Sequence, residues 1–158
     1  MKDSLRTGIS FGLTSAVITT LGLMVGLHSG THSKMVVLSG ILTIAIADAF
    51  SDALGIHISE ESENTHTVKQ IWGATVATFL AKFLFAMTFI VPVLLLSLTL
   101  AIIVSIAWGL LILTGLSYLM ARAQTKSPWK IVGEHVLIAV AVIVITHWVG
   151  DWVSTLAQ

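Results

Sequence analysis

Between Gln70 and Ala121 the chain carries one charged residue, Lys82. A water-soluble fold has no way to keep so long an apolar run away from solvent. A helix needs roughly 20 apolar residues to cross the hydrocarbon core of a bilayer, so this run is long enough for two crossings. Proline removes a backbone donor and disfavours helix in the residue before it. Pro92 and Ser97 therefore mark the expected break.

Three further apolar segments flank this pair. The expected helices cover about 8–27, 35–58, 68–91, 95–120 and 131–156. In lipid every backbone group must be satisfied within the segment, which makes all five helical. The fold class is thus an all-α integral membrane protein with a single five-helix transmembrane domain spanning 1–158. Only 10% of residues are charged and 56% are hydrophobic, against about 25% charged in a typical soluble domain. Met1 to Arg6 has the look of a signal-peptide n-region. The apolar stretch runs on to about Gly26 without a small-x-small cleavage site, so a retained span is expected.

Basic residues orient such a bundle. Lys2, Arg6, Lys69, Arg122, Lys126 and Lys130 fall on one side, and Lys34 alone on the other. This puts the N-terminus in the cytoplasm and the C-terminus outside, which an odd number of spans requires. The membrane is the plasma membrane of a prokaryote or that of an organelle. The net charge is zero and no feature points to nucleic acid. There is no cysteine, which excludes disulfides, iron–sulfur clusters and thiolate zinc sites.

Asp48 and Asp52 lie four apart in the second helix and share a face, with Ser51, Gly55 and Ser59 on or near it. One aspartate at a helix centre costs roughly 2.5–3.5 kcal/mol on insertion scales. Two on one face repel unless a cation or proton lies between them. Such a pair suits binding a cation, exchanging it for protons, or both, and hard oxygen ligands favour Mg, Ca, Mn and Fe(II) over Cu(I). The competing reading is a structural ion pair with Lys82. His57, Glu60, Glu61, Glu63 and His66 gather at the cytoplasmic end of the same helix. They form either an acidic mouth that concentrates cations or a solvated loop. His147 and Asp151, also four apart and flanked by Trp148 and Trp152, fit a metal pair or an interfacial belt. Glu134 reads as an N-terminal cap of the fifth helix. His28 and His32 belong to the outer turn. No nucleophile–histidine–acid arrangement and no phosphate-binding glycine loop is present, so no enzyme activity or tightly bound cofactor is expected.

Gly8, Gly12, Ser15, Thr19, Gly22, Gly26 and Ser29 recur along the first helix at steps of three and four. Small residues in a stripe let another helix approach closely. That helix is either a neighbour in the same bundle or its copy in a homodimer.

Two segments carry a family resemblance. One is Ser10-Phe-Gly-Leu-Thr-Ser-Ala-Val-Ile-Thr-Thr-Leu-Gly-Leu-Met-Val-Gly26. The other is Gly40 followed by Ala47-Asp-Ala-Phe-Ser51-Asp-Ala53-Leu-Gly55-Ile-His-Ile-Ser59 and the acidic tail Glu60 to Glu63. Together they resemble the vacuolar iron transporter family, whose second helix carries Ser-Met-Ala-x-Gly-Glu-Tyr-x-Ser before acidic residues. The resemblance implies a homodimer, packed through helix one, that moves Fe(II) or Mn(II) out of the cytoplasm in exchange for protons. The family's Asp-Gly stands here as Thr14-Ser15, its methionine as Asp52 and its Glu-Tyr as Ile56-His57. The long cytosolic helices between spans two and three are absent. On this reading Asp48 and Asp52 bind the ion and titrate. His57, Glu60, Glu61, Glu63 and His66 recruit it. Thr14, Ser15, Thr19 and Ser51 line its path, and Lys82 competes with it. Two alternatives are a non-transporting membrane assembly protein and a proton-coupled carrier of another small solute.

Overall fold

A computed structural model describes residues 2–123 and 127–156; Lys126, counted above among the basic residues, lies outside them. The described residues form helices and no strand. They are α1 (Lys2–Thr31), α2 (Lys34–Ser62), α3 (Val68–Thr88), α4 (Ile90–Leu95), α5 (Leu98–Ala123) and α6 (Pro128–Leu156). With α3 and α4 taken as one span, five segments are long and apolar enough to cross a membrane.

The helix limits follow from local chemistry. His32 takes a positive φ of 51°, and its N–H bonds His28 O at 2.9 Å. That left-handed residue closes α1 and leaves only His32 and Ser33 before α2. His28 therefore sits in the last turn of α1 rather than in an outer loop. Ser33 caps α2 by accepting from Val36 N–H. At the start of α3 the Gln70 side chain accepts from Thr67 N–H at 2.9 Å, half of a capping box. α6 begins with Pro128 at its first position, where a missing N–H costs nothing. Glu134 thus lies beyond the first turn and is exposed; it does not cap the helix.

The break expected at Pro92 and Ser97 is spread over a short helix: α3 ends at Thr88, four residues before Pro92, and the chain turns at Leu96 and Ser97. Phe89 bonds back to Ala86 O at 3.1 Å, which tightens the chain for one turn. Pro92 then occupies the first turn of α4, where no intrahelical donor is needed. The chain runs on to Leu95 and turns at Leu96 and Ser97. Lys34 supports this end: its Nζ donates to Leu94 O at 3.3 Å and Leu96 O at 3.0 Å, a cation at a helix C-terminus.

α1 is the central helix and packs against α2, α3, α5 and α6. Its small-residue stripe is occupied within the chain. A Cβ on Gly12 would lie 2.7 Å from Thr78 O of α3, and one on Gly150 of α6 would lie 2.8 Å from Ser29 Cβ. The lower half of the stripe thus meets α3 and the upper half meets α6. This is the first of the two readings of the stripe, and a homodimer would need another face.

The outward faces are apolar. Trp72, Trp129, Trp148 and Trp152 are all more than half exposed. They stand towards the two ends of the bundle, as in the aromatic belts of membrane proteins.

Candidate functional site

α2 buries a line of residues four apart, Val37, Ile41, Ala45, Ala49 and Ala53. Asp48 and Asp52 each precede one of these alanines, so both carboxylates stand at the edge of the buried seam. Across that seam α3 buries Ile71, Ala74, Thr78, Lys82 and Ala86. Lys82 thus occupies a core position and is 1% exposed.

Its ammonium has three N–H donors and meets three oxygens. Nζ lies 2.5 Å from Asp48 Oδ2, bonds Asp52 Oδ2 and donates to Ser15 Oγ at 2.7 Å. The Asp48 contact is ionic, because its Oδ2 lies outside hydrogen-bonding angles. Ser15 reaches the cluster because Gly8 and Gly12, about two turns and one turn before it, bring α1 against the α3 backbone. Ser15, Asp48 and Lys82 all lie near the middle of their spans, about 20 Å from either end at 1.5 Å per residue.

The charges do not cancel. Two ionised carboxylates against one ammonium leave one unit of negative charge in a low-dielectric place. One more proton, or a cation in place of the ammonium, neutralises the cluster. Carboxylates and a hydroxyl are hard donors suited to oxygen-seeking cations. Among the described residues, however, no three His, Asp or Glu side chains are grouped to hold a metal ion. The lysine is part of the site as it stands.

Asp48 and Asp52 are not sealed. Their side chains are 26% and 17% exposed. A cavity of about 880 Å³ between α1 and α2 reaches Asp48 from the end that carries Lys34. Its lining includes Leu27, Met35, Thr43, Ser51 and Thr19. Thr19 donates to Ser15 O at 2.9 Å, so it borders both this cavity and the lysine cluster.

The other expected site residues are placed elsewhere. Thr14 lies on a different side of α1 and lines a cavity of about 490 Å³ with α5 and α6. His57 turns to α3, where its Nδ1 is 3.0 Å from Thr75 Oγ1 and its ring packs edge-on against Trp72. Glu60 is buried, with Oε2 3.0 Å from His66 Nδ1, and Glu63 is 3.8 Å from the same nitrogen. The closer contact lies outside hydrogen-bonding geometry and is an ion pair when the imidazole is charged. His66 thereby offsets two carboxylates near the C-terminus of α2, where the helix dipole disfavours them. Glu61 is exposed. This group closes a turn and does not surround a point shared with Asp48 and Asp52.

At the far end, Ser29 Oγ bonds His147 Nδ1, and His147 Nε2 is 3.4 Å from Asp151 Oδ2. These contacts tie α6 to α1. His135, which the spacing of residues did not single out, lies inside α6 and pairs through Nδ1 with the buried Ser117 at 2.7 Å. The available signal was weak, because His135 follows Glu134 near the polar start of α6.

No protein-family model, no curated protein and no solved structure matches this chain.

Proposed function

We propose that this chain is a membrane transporter that exchanges a cation for protons at the cluster of Asp48, Asp52, Lys82 and Ser15. The observation that carries the reading is Lys82. A fully buried ammonium, held between two carboxylates halfway along three spans, is costly in lipid and unnecessary for packing. It is well suited to a cycle. With Lys82 between them the carboxylates are closed to other cations; when the ammonium leaves or loses its proton they take an external cation in its place.

The cargo we propose is a divalent metal, Fe(II) or Mn(II), moved outward from the basic, cytoplasmic face. The hard oxygen donors and the sequence resemblance support this choice. We also propose a homodimer, formed along α2 rather than α1. Ser39, Thr43, Ala47, Ser51, Gly55 and Ser59 follow one another at steps of four on α2 and are all exposed. Small residues and hydroxyls of this kind serve helix contact in lipid better than lipid contact.

One observation favours a second reading, a non-transporting assembly protein. Lys82 already meets three oxygens, as a static structural ion pair does. Reconstitution in liposomes separates the two. Transport requires uptake of Fe(II) or Mn(II) under a pH gradient, lost in Asp48→Asn and Asp52→Asn. If wild type moves neither metal, the static reading stands. If metal moves and both variants match wild type, the exchange site lies elsewhere.

A further inference from the structure

The end of the bundle opposite the acidic turn gathers three imidazoles and a carboxylate that the lysine cluster does not use. His28 and His32 lie one turn apart at the end of α1, with ring centroids 5.4 Å apart. His147 and Asp151 lie one turn apart on α6, with Nε2 3.4 Å from Oδ2. The two pairs stand at one level because the helix backbones touch there: a Cβ on Gly30 would lie 3.3 Å from Gly150 O. Ser29, next to His28, bonds His147 Nδ1. The ionisable groups close enough to act on His28 are His32 and His147, so the three imidazoles are neighbours.

A structural tie between α1 and α6 accounts for part of this arrangement only. Ser29 and His147 suffice for the tie, and two more imidazoles at the same level repel when charged. His28 Nδ1 is buried and has no hydrogen-bond partner among the described residues, and a buried polar atom left unpaired is costly. On α6 the Ser29 hydroxyl engages Nδ1 of His147 and leaves Nε2 to face Asp151. Metal-ligating histidines have their second nitrogen held in this way, which fixes the ring. The spacing fits as well. Donors bound at about 2.1 Å in a tetrahedral shell stand about 3.4 Å apart, the separation found between Nε2 and Oδ2.

We infer that His28, His32, His147 and Asp151 form a binding site for one divalent transition metal, bridging α1 and α6. Three imidazoles and one carboxylate suit Zn(II), Co(II) or Ni(II) better than Mg(II) or Ca(II). The donors stand as two halves, since no three of them are grouped to hold an ion. Closing the site requires the imidazoles of α1 to turn towards the α6 pair, and His32 is exposed and has room to do so. His28 is about 20 Å along α1 from Ser15 at 1.5 Å per residue. The site is therefore separate from the lysine cluster and does not depend on the transport reading. A bound metal would pin this end of α6 to α1.

Titration of the purified protein in detergent with Co(II) or Zn(II) alone tests the site. The variant Lys82→Met, Asp48→Asn, Asp52→Asn lacks the cluster and should still bind one Co(II), with the visible absorption of a tetrahedral ion, and Zn(II) should displace it. His28→Ala, His32→Asn, His147→Ala and Asp151→Asn should each weaken binding by roughly tenfold or more, and Ser29→Ala, which keeps all four donors, by about tenfold. His32→Asn keeps a residue that tolerates the positive φ at that position. His32, His147 and Asp151 are exposed, so their variants should fold, which thermal unfolding without metal checks. Absence of saturable binding to wild type overturns the site. Loss of binding in the variant that lacks the cluster also overturns it, because the metal then sits at the lysine cluster. Unchanged binding in both His28→Ala and His32→Asn, with loss in His147→Ala, leaves only a surface pair on α6 and overturns the bridge.

Discussion

Lys82 Nζ and Asp48 Oδ2 stand 2.5 Å apart, although their residues are separated by a helix end, an acidic turn and most of a second helix. The contact depends on two independent burial patterns meeting. The line of alanines on α2 brings Asp48 to the seam, and the line from Ile71 to Ala86 on α3 places Lys82 opposite.

Removing the ammonium alone should be worse than removing the whole cluster. Lys82→Met leaves two carboxylates facing each other, and breaking a buried pair costs about 3–5 kcal/mol. The partial exposure of both aspartates puts the expectation at the low end of that range. The triple variant Lys82→Met, Asp48→Asn, Asp52→Asn should recover most of the loss, because neutral groups of similar volume remain. Thermal unfolding in detergent checks both. A single variant as stable as wild type would show that the lysine is not paired in the folded protein.

The five helices long and apolar enough to cross a membrane could be read from the sequence, because a hydrocarbon core would set both a length and a composition. The region of the break could be read as well: α3 ends at Thr88, whose carbonyl Pro92 cannot bond, and the chain turns at Leu96 and Ser97, while the short helix α4 between them was not expected. The pairing of Lys82 with the aspartates was legible as one of two alternatives, since it is the only cation in the long apolar run. The separation of Thr14 from Ser15 was not. Adjacent helical residues point about 100° apart, and only the packing of α1 among four neighbours decides which of them meets α3.

Two glycines should behave in opposite ways. Gly12 meets the α3 backbone at Thr78 O, so Gly12→Leu must push α1 and α3 apart. Overpacking of this kind costs typically 1–3 kcal/mol, and the lysine cluster should loosen with it. Gly55 has open space around it, so Gly55→Leu should leave monomer stability within about 0.5 kcal/mol. If copies pair along α2, the same change should shift the protein towards monomer. Sedimentation in detergent, read beside thermal unfolding, separates fold from association. An unshifted monomer–dimer balance in Gly55→Leu sets aside the α2 interface.

Glu60 is 6% exposed and depends on His66 at 3.0 Å. His66→Ala leaves that carboxylate buried beside a helix C-terminus. The expected cost is about 1–3 kcal/mol, confined to the turn between α2 and α3. Amide exchange should rise from Glu60 to Thr67 and stay unchanged around Lys82. Glu60→Gln in the same background should restore protection, since the neutral amide is not opposed by the helix dipole. Equal exchange in wild type and His66→Ala would mean that the pair does not hold the turn.

The proposed orientation of the bundle sets six basic residues against Lys34 alone, and Lys34 has a structural task. Lys34 donates to Leu94 O and Leu96 O and closes the C-terminal end of α4. Lys34→Gln should therefore have two separable effects. Losing a cation at a helix C-terminus should cost about 0.3–1 kcal/mol, with a smaller difference at high salt. The basic asymmetry should sharpen, because no Lys or Arg remains on the outer side. An impermeant label on an added cysteine beyond Leu156 should then react from outside at least as completely as in the lysine-bearing chain. A cysteine in the turn between Ser62 and Val68 should stay protected from outside in both. Labelling of that turn from outside would invert the bundle and, with it, the direction of transport proposed here.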